Sequence, residues 1–189
     1  KGPKAVPGKY KVILEKGNLF KEKDFTILGD PRSEVSSQQM KLQFDFINKV
    51  NKTVDKAHKA ISNIRSISEK LSDFEKNYST NLKVEALIKE AKKLREELCS
   101  IEEALYQTKN RSSQDPLNFP IRLTNKLGYL NDLVSSSDFP PTNQDELVRK
   151  ELTIKIENHL ENYTKLIKSD LVNFNKFFAE LNLDYLTIK

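Results

Sequence analysis

The sequence predicts a mainly α protein: an antiparallel up-and-down helical bundle of three long helices and one shorter one, preceded by a short β-hairpin. Three observations predict it. In Asn81–Thr108 the apolar residues Val84, Leu87, Ala91, Leu94, Leu98, Ile101 and Leu105 recur at alternating steps of three and four, which puts all seven on one seam of a helix. Two further long segments repeat that period, and a seam so narrow cannot stay folded alone in water, so each needs the others as cover. The first 28 residues depart from it, alternating at a period of two.

The opening segment, Lys1–Leu28, reads as β structure. Pro7-Gly8 signals a turn, Tyr10, Val12 and Leu14 alternate with Lys9, Lys11 and Ile13, and Lys16-Gly17-Asn18 supplies a hairpin turn. Phe25 and Ile27 fall on one face of the returning strand. A lone two-stranded hairpin is marginal in water, so these strands are expected to pack on the helices or, preferably, to complete a sheet whose other strands lie upstream of Lys1. The opening KGPKAVPGKY reads as the interior of a longer chain, which makes the lack of a leader uninformative. The expected division is a hairpin over 1–30 and a bundle over 31–189.

Gly29-Asp30-Pro31-Arg32 ends the β pattern, and the serines after it can cap a helix. From about Ser36 to Tyr78 the inward positions are Met40, Phe44, Ile47, Val50, Val54, Ala57, Ile61, Ile64, Leu71, Phe74 and Tyr78; such a helix reaches roughly 60 Å. Ser68 interrupts the seam, where the spacing admits a kink or a thinner layer. Asn77–Asn81 is a short link that makes the first two helices antiparallel neighbours. Lys109–Phe119 is a polar crossover, and Pro120 suits the first turn of a shorter helix, Ile121–Ser135, with Leu123, Leu127, Leu130 and Val134 inward. Gly128 within it is expected to admit another helix closely. The last helix is expected from about Asn143 to Leu181, with Leu152, Ile156, Leu160, Tyr163, Ile167, Leu171, Phe174, Phe178 and Leu181 inward.

Composition fits a helix-rich globular chain, with 37% apolar residues, 31% charged residues and five glycines in 189. The net charge is +5 and the pI about 9.1, yet lysines and acids interleave, as in KVEALIKEAKKLREELCSIEE. That pattern supports i,i+4 pairing; binding to a phosphate backbone needs basic charge gathered on one face, so no nucleic acid is expected. No apolar run is long enough to span a bilayer.

The residues that carry chemistry are sparse. Cys99 stands alone, which excludes an internal disulfide, and its helical neighbours Arg95, Glu96, Glu102 and Glu103 include no histidine to activate a catalytic thiol. His58 and His159 have no His or Cys partner three or four residues away, as a helical metal site would use. Glu96-Glu97 and Glu102-Glu103 are adjacent on a helix and so diverge, which reads as a solvated face rather than an acid–base pair. No phosphate loop, G-x-S-x-G elbow or Cys-x-x-Cys pair occurs. Of four Asn-x-Ser/Thr sequons, those at Asn51 and Asn162 fall inside helices, and no glycosylation is inferred. No catalytic, cofactor-binding or metal-binding residue is therefore assigned, and no cofactor is expected. The aromatic cluster of Phe174, Phe177, Phe178 and Tyr185 is too rich for one seam and reads as a buried bundle end or a docking surface.

Two stretches carry a resemblance. VPGKYKVILEKGN followed by FTILGDPR resembles the closing strands of an immunoglobulin-like domain. QTKNRSSQDPLNFPIRLTNKLGYLNDLV with FPPTNQ is similar to the helical C-terminal region of large secreted bacterial proteins that carry BNR/Asp-box repeats in a sortilin-like (VPS10-type) β-propeller, often labelled glycosyl hydrolase or sialidase-like. The resemblance implies a non-catalytic C-terminal module of a protein secreted or held in a bacterial cell envelope, with neighbouring domains of the same polypeptide, or another protein, as partners. The family's sugar chemistry sits in the propeller. This chain has no Asp-box pattern and no tryptophan, so no catalytic residue carries over. The alternatives are a free-standing helical protein–protein interaction domain, or an enzyme with a cleft at the bundle end using His58 or His159.

Overall fold

The computed structural model describes residues 2–112 and 114–181. It is mainly helical, a bundle preceded by a two-stranded antiparallel hairpin, as the seams predict. Strand β1 is Gly8–Lys16 and β2 is Leu19–Ile27; α1 is Ser37–Asn77, α2 Glu85–Leu105, α3 Leu123–Val134, α4 Asn143–Lys168 and α5 Asp170–Glu180. Short 3-10 turns, Leu82–Val84 and Asp115–Leu117, precede α2 and punctuate the crossover.

Local chemistry sets the helix starts. Ser36 and Gln39 cap α1 reciprocally: the Gln39 amide donates to Ser36 Oγ at 3.2 Å, and the Ser36 amide to Gln39 Oε1 at 2.9 Å. Thr142 and Asp145 do the same for α4, at 3.1 and 2.8 Å. Before α1, Asp30 takes a fork from Arg32 at 3.0 and 2.8 Å, closing the turn at Pro31.

The chain forms two compact units, 1–52 with 128–150 and 53–127 with 151–189, and α1 contributes to both. In the second unit, Arg95 reaches Glu75 at 2.8 Å and Arg65 reaches Glu102 at 2.6 Å, so α2 descends as α1 ascends. Lys56 meets Glu157 at 3.0 Å, and Phe74 meets Phe174 edge-on at 5.4 Å, so α4 and α5 ascend with α1. In the first unit α3 descends against α1: Asn131 Nδ2 donates to Asn51 Oδ1 at 2.6 Å, and Gln43 Nε2 donates to the carbonyls of Val134, Ser137 and Phe139 at 2.8–3.0 Å. Each unit is thus up-down-up.

All seven predicted seam residues of α2 are buried. On α1 the buried line runs through Gln43, Phe46, Val50, Thr53, Ala57, Ala60, Ile64, Leu71 and Phe74, with Ile47 and Ile61 beside it. It takes in Gln43, Phe46, Thr53 and Ala60, which the predicted seam does not include, and leaves Met40, Phe44, Val54 and Tyr78 half-buried. The helix stays continuous through Ser68, where Ile67 and Ser68 are both half-buried and the Ser68 hydroxyl oxygen is turned inward.

Four expectations need correction. The last helix divides at Ser169, where φ −106° and ψ −66° leave the usual helical values of about −63° and −42°, although the amides of Ser169 and Asn173 still donate to the carbonyls of Lys165 and Ser169 at 2.9 Å. Leu181 is exposed rather than inward. Pro120 lies outside α3, with its carbonyl taken by Gln107 Nε2 at 2.8 Å. Gly128 makes no close approach, since a Cβ there would meet nothing within 4 Å.

Gly128→Ala is therefore expected to stabilise the protein by about 0.5–1 kcal/mol, read as a rise of a few degrees in melting temperature; a fall would contradict the open surroundings. A pH effect belongs to the crossover. The backbone amide of Arg111, the amide of Ser112 and the Ser112 hydroxyl all donate to Asp115, and hold its carboxyl below the usual carboxylate range. A depressed carboxyl stabilises above its unfolded pKa of about 3.9, and that contribution is lost as pH falls through the lower folded value. The Arg111 and Ser112 amide resonances should accordingly shift together below about pH 4, and should not do so in Asp115→Asn.

Candidate functional site

The residues that could carry chemistry lie apart or are already engaged. His58, on α1, is exposed and meets the ring of Tyr106 edge-on at 5.9 Å. His159 is half-buried on α4, and Cys99 is half-buried on α2 with a free thiol. No group of three or more His, Cys, Asp or Glu side chains among the described residues is arranged to hold a metal ion.

The paired acids of α2 part company. Glu103 is exposed, as the solvated-face reading expects, but Glu102 is buried. Its carboxylate accepts from Arg65 Nε at 2.6 Å, and that guanidinium lies 5.4 Å over the Tyr106 ring. The reversal has a geometric cause: Glu102 follows the seam residue Ile101 and turns toward α1, where a long cation can reach it. This group fastens α1 to α2 and leaves no carboxylate oxygen poised beside a nucleophile. Exposed lysines elsewhere pair along their own helices, Lys89 with Glu85 at 2.8 Å and Lys155 with Glu151 at 2.6 Å, which lowers both carboxyl pKa values.

The aromatic cluster divides likewise. Phe74 packs against Phe174, Phe178 and Tyr78 at 5.1–5.7 Å, forming the closed end of its unit, whereas Phe177 stays exposed. Tyr185 lies outside the described residues. Beside Phe177 a cleft of about 210 Å³ opens between α2 and α5, floored by Leu94 and Phe174 and edged by Glu90, Glu97 and Asp170. It holds no nucleophile–base pair.

Among the described residues, the hairpin is a sheet surface left without cover. Its register places Tyr10 opposite Phe25, Val12 opposite Lys23, Leu14 opposite Lys21 and Lys16 opposite Leu19. Opposed residues of antiparallel strands share a face. That face therefore carries Tyr10, Val12, Leu14, Leu19, Phe25 and Ile27 with Lys16, Lys21 and Lys23, and no acid. The other face carries Lys9, Lys11, Ile13, Glu15, Phe20, Glu22, Asp24 and Thr26, with Lys11 paired to Glu22 at 2.8 Å. Gly17, at φ +57°, makes the tight turn possible. At the base, Tyr10 stacks on Phe25 at 5.8 Å and donates its hydroxyl to the Val6 carbonyl at 2.6 Å. Beyond the base the apolar face is open: Val12 is 53% exposed, Leu14 69% and Leu19 70%. Alternation in the sequence located these residues; their lack of cover was visible only in the structure.

Comparison with known proteins finds no matching family, no matching curated protein and no matching solved structure. The class of protein is therefore defined by its fold alone, a helical bundle that carries an uncovered β-hairpin. No helix among the described residues is long and apolar enough to cross a membrane.

The Arg65–Glu102 tie can be tested by taking each side away. Arg65→Ala leaves a buried carboxylate unpaired and should destabilise by about 1.5–3 kcal/mol, whereas Glu102→Leu, which removes the buried charge, should be close to neutral. Urea unfolding of both variants checks the asymmetry, and equal losses would refute it.

Proposed function

We propose that the chain is a non-catalytic structural and interaction module, and that its hairpin is the docking element. One observation carries this reading: an apolar, lysine-flanked sheet face stands open on a two-stranded sheet, although such a sheet needs further strands or a packed face to be stable. The connector motifs support a parent of the exported BNR/Asp-box propeller type, labelled glycosyl hydrolase or sialidase-like. In such a parent the hairpin completes the β-sandwich of a neighbouring domain, and the bundle serves as a structural extension. A cover matched to this face is apolar, with carboxylates set to meet Lys21 and Lys23.

A second reading, a free-standing helical protein–protein interaction domain, is favoured by α4. Ile154 is exposed on it, and Leu160, Tyr163 and Ile167 stay half-buried. A partner complex lost in Ile154→Lys but kept in hairpin variants would support this one instead.

The test compares amide exchange in this chain with exchange in the longer polypeptide the leading reading implies. Protection of Gly8–Ile27 should rise by at least about tenfold when the neighbouring domain is present, a gain of roughly 1.4 kcal/mol in local opening. Unchanged exchange would overturn the docking element. Saturable hydrolysis of aryl-glycosides by the 189-residue chain would overturn the non-catalytic assignment.

A further inference from the structure

We infer that the outer edge of β1 pairs with β1 of a second copy of this chain, antiparallel and centred on Val12. This concerns an edge of the hairpin rather than its apolar face, and so goes beyond the docking reading above.

Among the described residues the sheet has only β1 and β2, so each strand keeps an outer row of unpaired N–H and C=O groups. The two edges differ in what they meet when each is laid on its own copy with full overlap. Strand β1 has nine residues with Val12 at its centre. A two-fold axis there sets Val12 against Val12 of the second copy, Tyr10 against Leu14, Lys11 against Ile13 and Lys9 against Glu15. Symmetry repeats each unlike pair, so two Lys–Glu pairs and two Tyr–Leu pairs form across one junction. Strand β2 has nine residues centred on Lys23. The same operation sets Lys23 against Lys23 and Glu22 against Asp24 twice, all like charges. The β2 edge therefore repels its own copy, and the β1 edge attracts it.

Geometry agrees with the charges. An axis perpendicular to the sheet keeps both apolar faces on one side, and joins two marginal hairpins into four strands in the order β2-β1-β1-β2, above the three-strand threshold for a stable sheet. Within one chain Lys9 lies opposite Thr26 and Glu15 opposite Phe20, so neither has a directly opposed charge to lose. Pairing β1 on β2 of the next copy would instead leave a free β1 edge at one end and a free β2 edge at the other, which can pair again and build an open series, whereas β2-β1-β1-β2 ends on two β2 edges that repel their like.

The experiment is light scattering of the full chain across a concentration series, with three sets of variants. A discrete dimer is expected. Glu15→Lys should weaken it by on the order of tenfold, and Lys9→Glu combined with Glu15→Lys should restore it, because the pairs return with signs exchanged. In a Cys99→Ser background, Val12→Cys should cross-link to its own copy under mild oxidation. Ile13→Cys should not, since it faces Lys11 of the second copy. A chain monomeric at every concentration would overturn the pairing, and would leave the face reading to be judged by the exchange comparison. An open series of oligomers, a dimer indifferent to Glu15→Lys, or equal cross-linking from Val12→Cys and Ile13→Cys would each overturn it as well.

Discussion

The long seam of α1 is the constraint on which the rest of the structure depends. Gln43, Phe46, Val50, Thr53, Ala57, Ala60, Ile64, Ile67, Leu71 and Phe74 follow one another at steps of three and four along a single 41-residue helix. A seam of that spacing can be covered only by helices running alongside it. In one unit α3 and the start of α4 supply that cover, and in the other α2, α4 and α5 do. Small residues, Ala57 and Ala60, sit at mid-seam, and both are buried. Large ones, Phe46 and Phe74, stand toward its two ends. Side-chain size thus varies along the helix while its register stays constant.

Polar ties then fix what the seam alone leaves loose. A hydrophobic stripe tolerates sliding, whereas a buried hydrogen-bonding group tolerates only the position that satisfies it. Gln43 takes this role for the end of α3, where its amide serves three carbonyls that the helix and its following loop leave unused. Thr124 does so at the other end of α3, donating its hydroxyl to the Leu105 carbonyl at 2.8 Å. Glu75–Arg95 and Glu102–Arg65 set the register of α2 against α1. The helix packing is thus specified by a few polar side chains placed in or beside an apolar seam.

The hairpin obeys a different logic. Its backbone bonds are satisfied internally along one edge only, and its apolar residues face outward on a sheet too small to cover them. The helices can be understood from their own contacts, and the hairpin cannot. The proposed docking role therefore rests on this β surface rather than on the histidines, the thiol or the carboxylate pairs.

The sequence by itself determined the elements: the number of helical passes, the α2 seam residue by residue, a serine cap ahead of α1, and the hairpin with its turn. These follow from periodicity and local hydrogen bonding, which act over a few residues and leave their mark in order along the chain. Only the tertiary structure decided which faces remain open and which polar residues go inside. Gln43 and Glu102 look like surface residues in the sequence, and their burial depends on carbonyls and a guanidinium brought in from 37 or more residues away. The empty space around Gly128 was hidden for the same reason. A local pattern records which residues can be buried, but what lies against each of them depends on distant parts of the chain.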